Sequence, residues 1–63
     1  MDLTANLFNA KYWPHTAQIS MYNVQQAQRW CYDNFRSRNW RSVGLYFAFK
    51  READYLMFVL KWA

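Results

Sequence analysis

Residues 53–62, Ala-Asp-Tyr-Leu-Met-Phe-Val-Leu-Lys-Trp, constrain this chain more than any other stretch. Read as a helix, they place Ala53, Leu56, Met57 and Leu60 on one stripe and Tyr55, Phe58, Val59 and Trp62 on another. The second stripe is rotated by about half a turn from the first. A helix apolar on two opposed sides needs cover on both. One side can rest on a sheet. The chain has 63 residues, and a domain that small buries only about 60% of the surface its unfolded chain exposes. Little is left over to cover the other side.

Small scaffolds normally compensate with disulfides, a metal or oligomerisation. Cys31 is the single cysteine and His15 the single histidine, so an intrachain disulfide and the usual Cys/His zinc sites are excluded. No cofactor motif is present. Oligomerisation remains. The composition agrees: 54% hydrophobic and 22% aromatic is heavy for a short chain and argues against disorder.

Taken in order, residues 1–14 read as an N-terminal arm pinned by Phe8, Tyr12 and Trp13 and ended by Pro14, and residues 15–63 as one small domain. His15 to Tyr22 alternates, with Ala17, Ile19 and Met21 on one face, which predicts a half-buried strand. Asn23 stands where a helix cap is wanted. Val24 to Phe35 predicts a helix whose dry face holds Val24, Ala27, Cys31 and Phe35, with Trp30 at its border. A basic loop, Arg36 to Arg41, follows. Val43 to Phe49 predicts a second strand, Lys50 to Glu52 a corner, and Ala53 to Trp62 the final helix. The expected fold is α+β, a small β-α-β-α two-layer module, ferredoxin-like or half of one. A strand–helix–strand unit favours a parallel pair with a right-handed crossover. Two strands are too few for a stable sheet, so the arm or a second subunit is expected to complete it.

Chemistry is sparsely signalled. Asp2, Asp33, Glu52 and Asp54 form no pair on a common face in an apolar surrounding, so solvated carboxylates outweigh acid/base catalysts. Cys31 lies on the apolar side of its helix, where a thiol is buried and inert; a nucleophilic pairing with His15 is the lesser reading. The net charge of +4 is compatible with an anionic partner. Arg36, Arg38, Trp40 and Arg41 are the candidate patch for one, the arginines meeting phosphates and Trp40 stacking on bases. Gly44 to Phe49 superficially matches the aromatic strand of RNA-recognition motifs, but Val43 stands where a basic residue is wanted and Leu45 where an aromatic is. No apolar run approaches the ~20 residues that span a bilayer, and the last helix lacks a cationic face for a membrane surface. Met1-Asp2-Leu3-Thr4 shows no signal peptide, and a free cysteine suits a reducing cytoplasm.

At Phe47-x-Phe49, Asp54-Tyr55 and Phe58-x-Leu60-x-Trp62 the chain resembles small uncharacterised proteins of tailed bacteriophages, including the large-genome phages of marine cyanobacteria. The likeness covers the last third of the chain and rests on a hydrophobic pattern. It implies a viral protein acting in an infected bacterial cell, in the host cytoplasm or in the virion, with a host or virion protein as partner. It brings no catalytic residues. The functional expectation is a non-enzymatic module that pairs with itself, its interface formed by Tyr55, Phe58, Val59 and Trp62, because desolvated aromatics anchor interfaces. Nucleic-acid or host-factor binding through the Arg36–Arg41 loop is the alternative.

Overall fold

The structure is a computed structural model and describes residues 8–63; the first half of the expected arm lies outside the described residues. Strand β1 runs His15–Gln18, helix α1 Val24–Asn34, strand β2 Trp40–Val43, strand β3 Tyr46–Phe49 and helix α2 Glu52–Trp62. Short 3-10 turns precede α1, at Met21–Asn23, and β2, at Ser37–Asn39. The α+β class is as expected.

The three strands form one antiparallel sheet in the order β1-β3-β2. β1 and β2, joined through α1, therefore run the same way but are separated by β3. The adjacent parallel pair expected from the strand–helix–strand pattern is replaced by a split β-α-β unit. This succession and order match the first five elements of the ferredoxin-like β-α-β-β-α-β arrangement.

The third strand comes from a hairpin where one long strand was expected. Val43 pairs with Tyr46, leaving Gly44 and Leu45 as a two-residue loop. Gly44 has φ +58, and no other described residue has a positive φ. A positive φ at the first loop position alone is the type II′ pattern, whose twist matches antiparallel strands. The turn splits the apolar run: Phe47 and Phe49 go inside, whereas Val43 is exposed and Leu45 half-buried.

β1 likewise stops short of the expected Tyr22. Ser20 caps the 3-10 turn, its Oγ accepting from the Tyr22 N–H at 3.3 Å. Asn23 makes no side-chain cap bond and is already in a helical conformation. The cap thus sits one short turn upstream of its expected place, and Met21 and Tyr22 swing into solvent.

Cross-strand partners share a face. His15, Ala17, Phe47, Phe49, Trp40 and Ser42 face the helices; Thr16, Ala48 and Arg41 face away. The core gathers Ile19 after β1, Ala27 and Cys31 from α1, Trp40, Phe47, Phe49, and Phe58 from α2. Phe58 lies 4.7 Å from Phe47 and 5.0 Å from Phe49, ring to ring. Burying each such ring contributes roughly 1.5–3 kcal/mol. α1's dry face is as expected, with Val24, Trp30 and Phe35 packed around it.

Part of the outer face of the sheet is also covered. Ala48 is fully buried although it points away from the helices, and Phe8 is buried outside the main core. Asn9 organises the turn leading into β1: its carbonyl accepts from the Tyr12 and Trp13 N–H groups, and its Oδ1 from that of Lys11. Trp13 then carries the Arg41 guanidinium at 5.4 Å and the Lys50 ammonium at 5.2 Å on its ring. Of the three residues expected to pin the arm, Phe8 is buried, Trp13 half-buried and Tyr12 mostly exposed.

Candidate interaction surface

Helix α2 begins at Glu52 with Glu52 and Asp54 in its first turn and Lys61 in its last, charges that complement the helix dipole. Its two apolar stripes are both real, and their roles are exchanged relative to the expectation. Phe58 has no exposure, and Tyr55 and Trp62 pack against the core around it. Val59 is half-buried at the margin. Tyr55 stacks on His15 at 5.4 Å, and Trp62 meets Trp30 edge-on at 6.4 Å. Tyr55, Phe58, Val59 and Trp62 are therefore the sheet-facing side of the helix. The reason is volume: three large rings fill the space between a sheet floored by Phe47 and Phe49 and the Trp30 side of α1.

The stripe expected to face the sheet faces solvent. Leu56 and Met57 are each 49% exposed and Leu60 is 87% exposed. Scattered exposed leucines are ordinary; these three apolar side chains share one face of the helix. The 3.6-residue spacing identified both rows; it carried no information on which was the inner one.

The basic loop is also rearranged. Trp40 is 6% exposed, stacked on Phe47 at 6.3 Å and met edge-on by Tyr32 at 5.1 Å. It is a core residue and offers no face to a base. Pairing with Phe49 explains this, because the first residue of β2 must share the inner face with its partner. Arg36 and Arg38 are exposed, while Arg41 lies against Trp13 on the outer face. Tyr32, Ser37, Trp40, Arg41, Ser42 and Val43 line a shallow cleft of about 230 Å³. Of the four candidate patch residues, only Trp40 and Arg41 reach it. Exposed Tyr32 is the aromatic on its rim.

Cys31 is fully enclosed, and burial pushes its thiol up from 9.0 to about 12 because the thiolate would lose its hydration. His15 is engaged with Tyr55 rather than Cys31. Among the described residues no three His, Cys, Asp or Glu side chains converge as a metal site would require, and no helix is long and apolar enough to cross a membrane.

Comparison of the chain with family models, with curated proteins and with solved structures returned no match.

Proposed function

We propose that this chain is a non-enzymatic interaction module that pairs with itself through the outward face of α2. The observation that carries the reading is the row Leu56, Met57 and Leu60, left in solvent on a helix whose opposite side packs against the core through Tyr55, Phe58 and Trp62. Covering that row removes apolar area from water, at roughly 25 cal/mol per Å² before the costs of association. Combined with the resemblance of the last third to tailed-phage proteins, the reading makes the infected cell or the virion the place of action. A host or virion protein would be a further partner.

Sedimentation tests it. The wild-type chain is expected to run as a dimer at micromolar concentration, and Leu60→Asp as a folded monomer with an unchanged far-ultraviolet circular dichroism spectrum. Phe58→Asp, by contrast, is expected to abolish folding, since it buries an unpaired carboxylate in the aromatic core. A wild-type chain that stays monomeric throughout the micromolar range overturns the proposal.

A second reading has one observation of its own. Exposed Arg36 and Arg38 flank in sequence Ser37, which lines a cleft edged by Tyr32, a combination suited to a nucleotide phosphate and its base. Salt-sensitive retention on single-stranded DNA or RNA, weakened by Arg38→Ala and Tyr32→Ala, would support it.

A further inference from the structure

We infer that the dimer is joined along β1, two copies forming a continuous six-stranded antiparallel sheet with their α2 helices side by side above the junction. The inference rests on the self-association proposed above and adds its geometry and its partner, a second copy of this chain.

Among the described residues β1 is an edge strand, hydrogen-bonded only to β3. The Ile19 N–H donates to the Leu45 carbonyl at 3.0 Å, which fixes the alternation: Ile19, Ala17 and His15 direct their backbone groups at β3. Thr16 and Gln18 then direct theirs outward. Sheet edges are normally guarded by lysine, proline or a bulge. His15–Gln18 contains none of these, whereas the opposite edge, β2, carries Arg41.

The free groups also select a register. If Thr16 pairs with Gln18 of the partner subunit, and Gln18 with the partner's Thr16, four backbone bonds form about a two-fold axis at Ala17. Sliding the pairing toward the N-terminus calls on Pro14, which has no N–H. Sliding it the other way calls on Ser20, whose carbonyl already accepts from the Asn23 N–H at 3.0 Å. One symmetric pairing uses every free group.

α2 packs about equally over β1 and β3, so its axis lies near their midline. With strands about 4.8 Å apart, a two-fold beyond β1 puts each α2 axis about 4.8 Å from it, hence about 9.6 Å between helices, within the usual 8–10 Å of packed helices. The correct flank is turned that way. Tyr55 marks the β1 side of α2 by stacking on His15, and going round the helix from Tyr55 leads to Val59 and then Leu56. A lone docking strand would cover the edge and leave Leu56 and Leu60 wet; a lone helix would do the reverse. A second copy presents both at matching heights, as a two-fold contact requires.

Gln18→Pro and Ala17→Cys test the geometry, alongside Leu56→Asp as the helix-face control. Gln18 is exposed and its N–H has no partner among the described residues, so proline there is tolerated on an edge strand. It deletes two of the four bonds and is expected to weaken the dimer about tenfold to a hundredfold. Facing Ala17 residues would sit about 4.5 Å apart at Cα, close enough for a disulfide. Ala17→Cys should therefore give a cross-linked dimer on a non-reducing gel, and Gln18→Cys should not. If Leu56→Asp dissociates the dimer while Gln18→Pro leaves it intact and Ala17→Cys does not cross-link, self-association stands and the β1 junction is overturned. If the wild type is a monomer, both fall. Should Gln18→Pro fail to fold, the Ala17→Cys cross-link decides alone.

Discussion

Cys31 and the aromatic side chains around it show how far single residues are committed to the core. Cys31 packs among Ala27, Trp40 and the phenylalanines with no exposed surface, and its raised thiol pKa makes it a protonated, unreactive side chain at neutral pH. The sign of its linkage to stability follows. Below pH 9.0 the thiol is protonated both folded and unfolded and contributes no pH dependence. Between 9.0 and about 12 the unfolded thiol ionises while the folded one does not. Stability is then lost by about 1.4 kcal/mol per pH unit. The urea midpoint is expected to fall further between pH 8 and pH 10.5 for the wild type than for Cys31→Ala; equal falls would contradict the burial effect. The same core leaves the Nε1 atoms of Trp40 and Trp62 buried without partners among the described residues. Each such donor costs roughly 1–3 kcal/mol, offset against the ring area it brings inside.

At the scale of elements, the hairpin depends on Gly44. A Cβ there would meet nothing within 4 Å, so a substitution is penalised through backbone conformation alone. Gly44→Ala is expected to cost about 1–2 kcal/mol and Gly44→Asn less, since asparagine tolerates positive φ. Urea unfolding of the two variants checks the order. This turn was illegible beforehand for a definite reason. Gly44-Leu45 is not one of the Asn-Gly or Asp-Gly signals, and it sits inside the apolar run Val43 to Phe49, which alternates convincingly as one strand. Helix α1 was legible because it has one dry face and one wet one, from Gln26 and Arg29 to Asp33. The position of Ser20 was obscured by the alternation of Ala17, Ile19 and Met21, which continues past the true strand end. Only backbone geometry reveals where that pattern ceases to be a strand.

For the whole molecule, a 63-residue chain with no disulfide is expected to draw part of its stability from association. Each tenfold dilution of a dimer withdraws about 1.4 kcal/mol from the folded state. Melting should therefore shift downward by a few degrees per decade of concentration, and Leu60→Asp should remove the dependence. A wild-type Tm that does not move with concentration would count against the dimer. The α+β class, the two helices, the two apolar rows of α2 and the burial of Cys31 were determined by the sequence, because each follows from local periodicity and residue type. Which row of α2 turns inward was decided only in three dimensions. Both rows are apolar at the same spacing, and the inner one is the row whose Phe58 packs against Phe47 and Phe49 of a strand brought beneath it by the Gly44 turn. Trp40 likewise left the basic loop for the core because its partner across the sheet is Phe49, a pairing between distant positions that local pattern does not encode.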